Sequence, residues 1–449
     1  MSKELIIPAE ETLALAEKLP TPFHIYHEGQ MRETARKMKA AYSWAPNYRN
    51  YFAVKATPNP TIVKILVEEG MGTDCSSLAE LMISEALGLR GEQIMFTSNN
   101  TPLIEYTKAK ELGAIINFDD ITQIEYVKEN LGLPDLVCFR YNPGESTTYG
   151  NVIIGVPQEA KFGLTREQIF KAVAYCKEHG VTRFGMHTMV VSNCIDAEEL
   201  KQTAKMIFGL VKEIKQRLSV DIEFCNLGGG IGVAYKLQDT PPDFSVIATG
   251  IREHYEEILV PCGLKPNVVT ECGRCVTGPA GALVTRVIHR KKTYKNYVGV
   301  DACMADLMRP SLYGSYHHIT ILPNEKPVAG LASRKDLPPS VDMQKGKEDV
   351  YDVVGSLCEN NDKLAVDRSL SPMPRPGDVA VIHDAGAHGH AMGFNYNGKL
   401  RSAEYLYRGK DDVVEIRRRE TYDNLFATLP NGAKAIALDP PAKKRRTDE

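Results

Sequence analysis

The sequence predicts an α/β protein, an eight-stranded (β/α) barrel joined to a mostly antiparallel β domain. Three observations carry that expectation. From Tyr51 to Arg274, short apolar segments alternate with helical patterns, giving eight strands with a helix between neighbours. Each segment ends in a polar or glycine residue, and a closed barrel would gather those ends on one face. Past about residue 281 the alternation stops, and β-rich segments follow one another with few helices between them.

Bulk properties narrow the class further. At 449 residues the chain exceeds what one hydrophobic core fills, so more than one domain is expected. It is 43% hydrophobic and 25% charged, an ordinary balance for a soluble protein, and a net charge of -3 gives no argument for nucleic acid or an anionic membrane as partner. No apolar run is long enough to span a membrane, and MSKELIIPAEE lacks the apolar stretch of a signal peptide, so a cytoplasmic location is expected. The ten cysteines are scattered through apolar contexts and read as mostly reduced core residues. Cys272 and Cys275 form a CxxC, but no second pair or suitably spaced histidine accompanies it, and no metal is expected.

Taken in order, PFHIYH at 22–27 reads as a strand, and Gln30–Ser43 as an amphipathic helix with Met31, Ala35, Met38 and Ala41 near one face. AVKA, GTDC, IMFTS, AIINF, LVCFRYN, FGMHT, IEFCNLGGG and NVVTECGR are the eight barrel segments. Helical patterns at 62–70, 78–88, 103–113, 121–131, 166–179, 197–218 and 246–259 separate them. An open doubly wound sheet could also use eight strands, but no GxGxxG opens a helix at the first strand-to-helix turn. Seven later segments, LVTRVIHRK, YKNYVGVDA, HHITIL, DVYDVVGS, DVAVIHDAG, SAEYLYR and DVVEIRRR, make the second domain. The expected division is 30–280 for the barrel and 1–29 with 281–430 for the β domain. An exposed insertion is expected at 324–349 and a disordered basic tail at 431–449, whose KKRR could also be a nuclear-import patch.

The chemistry is expected at the strand ends. YFAVKATPNP places Lys55 after a short apolar strand, in a Pro/Asn turn that neither helix nor strand continues. Flanked by core residues, its ammonium is expected to lose water, and a desolvated amine can form a Schiff base; the alternative is a lysine that snorkels to solvent. The remaining ends carry Asp74 with Ser76, Ser98 with Asn99, Asp119, Arg140 with Asn142, His187, Asn226 with Gly228, Gly229 and Gly230, and Glu271 with Arg274. The three glycines fall in the seventh strand-to-helix loop and ECGR in the eighth, the loops that most often bind phosphate in such barrels. A lysine, a phosphate cradle and a carboxylate together suggest pyridoxal 5'-phosphate, with Glu271 holding the pyridine nitrogen protonated.

YFAVKATPNP, GTDCSSLAE, NLGGG, ECGR, DACMADLMRPSLYG, GSLCENND and DAGAHGHAMGFNYN, in that order over about residues 20–425, resemble diaminopimelate decarboxylase. More broadly they resemble the barrel-type pyridoxal-phosphate decarboxylases that act on ornithine and arginine. The resemblance implies a barrel with an alanine-racemase-like C-terminal domain. It implies that Lys55 carries the cofactor, with Asp74, Arg140, His187, Met189, Ser192, the Gly228–Gly230 turn, Glu271, Gly273, Arg274, His388 and Tyr396 around it. Arg309 and Tyr313 match the pair that grips a distal carboxylate. Cys358 matches the acid that returns a proton to the carbanion, and Glu359 and Asp362 accompany it as substrate contacts. These last residues are implied to reach the other subunit's barrel, so a homodimer with shared active sites is expected.

The departures from that pattern bear on the substrate. Where the decarboxylases usually read H-x-G-S, this chain has Met189-Val-Val-Ser192, with His187 one pleat deeper. EPGR is here ECGR, and His388 stands where a tyrosine near the phosphate is usual. Similar replacements are associated with a branch acting on D-lysine and D-ornithine. The expected activity is α-decarboxylation of a diamino acid, with meso-2,6-diaminopimelate first and D-lysine or D-ornithine second. An amino-acid racemase would need a second base, which no motif marks. A non-catalytic regulatory homologue would be expected to have lost Lys55 or Cys358.

Overall fold

The computed structural model describes residues 3–144, 157–331 and 350–432. The tail expected to be disordered, 431–449, lies outside the described residues from 433 onward, as do residues 332–349 of the expected 324–349 insertion. Eight strands, Arg49–Ala53, Gly72–Cys75, Ile94–Thr97, Ile115–Phe118, Leu136–Tyr141, Arg183–Thr188, Phe224–Asn226 and Asn267–Thr270, pair in chain order, and the first closes on the last in parallel. The barrel expected from the alternation is therefore present.

Most barrel helices start where a short polar side chain satisfies the first free N–H groups. Asn59 caps Pro60–Glu68, Ser77 caps Leu78–Ala86, Asp120 caps Ile121–Leu131, and Asp243 caps Phe244–Ile258. Expected starts at Ile62 and Val246 fell late, because proline at the first helical position and the Asp243 cap set the true boundaries.

Inside the barrel, the side-chain period of two sorts residues into layers. Tyr51, Met95, Ile115, Leu136, Cys138, Phe224 and Val269 fill the lower layer. Gly72 and Gly185 complete it where the Tyr51 and Phe224 rings leave no space for a side chain. Two residues further along, the inward position is Ala53 on the first strand and polar on the other seven: Asp74, Thr97, Asn117, Arg140, His187, Asn226 and Glu271. Because the lower layer is packed, these groups can meet a ligand only at the strands' C-terminal mouth.

The second unit is a nine-stranded sheet. It contains the seven expected segments, the early strand Phe23–His27, and Lys363–Ser369, which charge along KLAVDRS had hidden. All its ladders are antiparallel except Phe23–His27 with Ala403–Gly409 and Asn296–Val300 with Val350–Val354. Phe23–His27 runs between Gly281–Lys292 and Ala403–Gly409, so the chain enters the sheet before it builds the barrel. Among the described residues, no helix is long and apolar enough to cross a membrane.

The packed lower layer can be tested at Gly185, where an added Cβ would lie 2.1 Å from Phe224 Cζ. Gly185→Ala should lower the free energy of urea unfolding by about 1–3 kcal/mol through overpacking. An unchanged urea midpoint would show that the ring has room to move.

Candidate active site

The first barrel strand ends at Ala53, and Val54–Ala56 form a single 3-10 turn that carries Lys55. The expected turn is thus a short 3-10 turn, and the helix expected after it begins at Pro60, where Asn59 caps it. The structure corrects the expected desolvation. Val54 and Ala56 are buried, but Lys55 itself is exposed in the single chain and points into a cavity. Its backbone is pinned on the C-terminal side. His388 N–H donates to Ala56 O at 2.8 Å, and Thr57 Oγ1 donates to Gly386 O at 2.7 Å.

The cavity, about 380 Å³, opens at the C-terminal mouth of the barrel. It gathers Lys55, Asp74, Arg140, His187, Met189 and Ser192 with Gly229, Gly230, Glu271, Gly273, Arg274 and His388. Ser76, Ser98 and Asn99 also reach it, whereas Asp119, Asn142 and Asn226 stand behind it as supports. Asp119 Oδ1 lies 3.5 Å from Arg140 NH1, and Asn142 Nδ2 holds Phe162 O at 2.7 Å. That bond places the Phe162 ring under the Arg140 guanidinium, 4.3 Å from its centroid.

Glu271 is the electrostatic centre. Asn226 Nδ2 donates to its Oε1 at 2.7 Å, and His187 Nε2 lies 3.2 Å from its Oε2. Burial alone would raise its pKa, but His187, Asn226 and Lys55 outweigh burial and hold it below the usual carboxylate range. Asp74, equally buried, moves the other way: burial first, and then the Glu271 charge, push it well above its ordinary value despite Lys55. Two carboxyls sharing one site are thus driven apart, Glu271 ionised and Asp74 protonated. Burial, then Arg274 and Lys55, likewise hold the His388 imidazole neutral.

The glycine turn has the shape of a phosphate cradle. A Cβ on Gly228 would stand 2.4 Å from Thr188 O, one on Gly229 2.8 Å from Glu271 O, and one on Gly230 2.6 Å from Val191 O. Gly229 N–H donates to Met189 Sδ at 3.2 Å. A thioether is a weak acceptor, which a phosphate oxygen would displace. Asp74 Oδ1 is buried without a hydrogen-bond partner. A glycine cradle, an ionised carboxylate and a reachable lysine on one cavity fit pyridoxal phosphate.

The other expected contacts lie outside this cavity. Arg309 is 1% exposed, with NH1 2.9 Å from Tyr235 Oη and 2.8 Å from His317 Nε2. Tyr313 ends the same short helix, Arg309–Tyr313. Cys358 and Tyr396 are exposed, and Glu359 Oε1 accepts Asn361 N–H. Asp362 faces inward, where its oxygens accept Met304 N–H at 2.6 Å and Leu357 N–H at 2.8 Å, fixing the loop that carries Cys358. Cys272 and Cys275 are buried free thiols. Asn117, Phe162, Tyr235 and His317 escaped the sequence reading. Only Asn117 carried a signal, a polar residue at an inward position of an apolar strand.

A barrel with a lysine on its first turn, a glycine cradle on its seventh and a carboxylate on its eighth defines a pyridoxal-phosphate enzyme. The family model described as "Pyridoxal-dependent decarboxylase, pyridoxal binding domain" matches residues 28–278, and its C-terminal sheet domain model matches 189–386. The chain belongs to this family of ornithine, diaminopimelate and arginine decarboxylases; it is a pyridoxal-phosphate-dependent amino-acid decarboxylase. It is 42% identical over 414 residues, 91% of each chain, to Protein TabA of Pseudomonas amygdali pv. tabaci. It is 32% identical over 425 residues, 94% of each chain, to diaminopimelate decarboxylase of Methanothermobacter thermautotrophicus. The structure of diaminopimelate decarboxylase from M. jannaschii in complex with L-lysine superposes with a TM-score of 0.81 at 29% identity, covering 93% of this chain and 94% of that one.

Protein supplied with pyridoxal 5'-phosphate should absorb visible light, and borohydride should fix the cofactor's mass on the peptide containing Lys55. Lys55→Ala should show neither change. Reduction that labels a different lysine would remove Lys55 from its assigned place.

Proposed function

We propose that this decarboxylase removes the α-carboxylate of meso-2,6-diaminopimelate, leaving lysine. The arginine pair carries this reading. Arg274 NH1 lies 3.2 Å and Arg309 NH1 2.9 Å from one phenol oxygen, Tyr235 Oη, and no carboxylate among the described residues bonds either guanidinium. Like charges held together out of water are unfavourable unless an anion joins them, and a guanidinium pair suits a carboxylate. A substrate with a second carboxylate supplies that anion. The diaminopimelate decarboxylases among the relatives support the choice.

Each residue then has a task. Lys55 holds the cofactor, and the Gly228–Gly230 turn, with Arg140 and Ser192 on the cavity wall, seats it. When bound, pyridoxal phosphate supplies an electron sink for the pair left by the departing CO₂. Glu271, already ionised, would serve as counter-charge to the ring nitrogen, and Met189, on the cavity wall, would offer the ring a polarizable side chain. Asp74 stays protonated and adds no second negative charge. Neutral His388 leaves the positive charge at the cavity wall to Lys55 and Arg274.

Departure of CO₂ leaves a carbanion that an acid must reprotonate, and Cys358 is exposed and does not line the cavity of its own chain. We assign that acid to Cys358 of a second copy, with Glu359 near the distal ammonium, which makes the enzyme a homodimer with shared active sites. Mixing inactive Lys55→Ala and Cys358→Ala proteins should restore about a quarter of wild-type activity after random exchange, because a mixed dimer keeps one intact site of two. No recovery, despite proven exchange, would place the acid in the same chain as Lys55.

A second reading, D-lysine or D-ornithine, is favoured by one observation. Arg309 does not line the cavity, so the grip on a distal carboxylate rests on Arg274 alone until Tyr235 moves. Incubation with each amino acid, measuring CO₂, decides between them. Meso-diaminopimelate should be the best substrate; turnover of D-ornithine without diaminopimelate overturns the first choice.

A further inference from the structure

Glu271 does not stand alone at the ring position. A run of close polar side chains crosses the barrel mouth from the third strand to the eighth, hydrogen-bonded from Thr97 to His187 and closed by an ion-pair contact from His187 to Glu271. Asn117 Nδ2 lies 3.2 Å from Thr97 Oγ1 and donates to His187 Nδ1 at 2.9 Å. An imidazole nitrogen that accepts carries no proton, so in this arrangement the N–H of the ring is on Nε2, the atom 3.2 Å from Glu271 Oε2. Asn226 holds the other Glu271 oxygen. His187 and Asn117 are 1% and 2% exposed, so water does not compete for these contacts. The replacement of the usual ring-covering histidine by Met189 leaves His187 as the imidazole facing Glu271.

We propose that His187, its tautomer set by Asn117, is a positioning residue that keeps Glu271 aimed and ionised beneath the cofactor ring nitrogen. A carboxylate has about four lone-pair sites, so with Asn226 on one oxygen and His187 on the other, a lone pair remains for the ring N–H. Without the imidazole, Glu271 faces Lys55 and Arg140 as cations, Asp74 as an acid, and the Cys138 thiol. Of these, Asp74 competes with it for the same charge. Losing His187 therefore shifts the proton toward Glu271 and leaves the ring nitrogen without its anion.

The holoenzyme tests this in His187→Leu, His187→Gln and Asn117→Ala, with cofactor content measured in each. His187→Leu should lower kcat by about tenfold or more with KM within about threefold, the pattern of a group that acts in the transition state. Independently of turnover, the acid limb of the cofactor's visible pH titration should move upward, because Glu271 then takes its proton at higher pH. His187→Gln, whose amide can replace the Nε2–H donor, should restore most of both effects. Asn117→Ala should shift the titration in the same direction with His187 intact, and it decides the matter if His187→Leu does not fold. A wild-type titration in Asn117→Ala, or a His187→Gln protein as impaired as His187→Leu, would reduce His187 to a packing residue and overturn the proposal. Failure of diaminopimelate as substrate would leave it untouched, because the titration needs no substrate.

Discussion

Glu404 lies buried on a strand of the C-terminal sheet, where its carboxylate accepts Tyr26 Oη at 2.6 Å, Asn59 Nδ2 at 3.1 Å and the Arg417 guanidinium. Burial would raise its pKa, but His390, Tyr26 and Arg417 outweigh that and hold it at about 2. Two of its partners lead to the active site. Asn59 caps the helix that follows Lys55, and Arg417 also donates to Pro58 O at 3.1 Å. The segment immediately after the lysine is therefore held by the sheet as well as by the barrel. With His388 on Ala56 O, the aim of Lys55 depends on a buried charge in the other half of the molecule. Removing one partner of such a cluster leaves a charge uncompensated, which typically costs about 3–5 kcal/mol.

That anchoring explains why a lysine can be exposed in the chain and still be placed. The 3-10 turn has buried neighbours on both sides and hydrogen bonds at Ala56 and Thr57, so its backbone is settled before any ligand arrives. The side chain alone keeps its freedom. The role proposed for Lys55, to hold a cofactor and release it, needs that combination of a fixed base and a mobile tip. On the opposite wall the requirement is reversed: Glu271 is held by Asn226 at one oxygen and has His187 3.2 Å from the other, the fixed placement that the counter-charge role proposed for it needs.

Much of this was legible in the chain. The alternation of apolar segments with helical patterns placed Asp74, Arg140, His187 and Glu271 at strand ends, and closure of the barrel brought them together at one mouth. The limits were physical. Flanking apolar residues describe the backbone around Lys55 and not the direction of its side chain, so burial of the neighbours was mistaken for burial of the lysine. Asp362 read as a substrate contact because it stands beside Cys358 and Glu359. Its carboxylate is instead engaged by two backbone N–H groups, and one of them, at Met304, is distant in sequence. Tyr235 and His317 had no local signature, since their meeting with Arg309 joins a barrel loop to the sheet. Contacts of that kind depend on how the two units pack, which no periodicity within one segment records.

The same junction bears on selectivity. His317 Nδ1 lies 2.8 Å from His383 O, so its proton belongs there and Nε2 is left to accept from Arg309. Burial, and then the Arg309 charge, hold that imidazole neutral, with its pKa at about 3. Among the described residues Arg309 thus hydrogen-bonds two neutral acceptors and no carboxylate, while Arg274 shares one of those acceptors from the cavity side. Neutral partners satisfy hydrogen-bonding geometry but leave the two positive charges unbalanced. A ligand carboxylate reaching Arg274 would lower the energy of both guanidiniums through a single oxygen's displacement, whereas an amine-ended side chain would bring a third cation toward them. The strength of discrimination at this wall is therefore set less by Arg309 itself than by how readily Tyr235 yields its place.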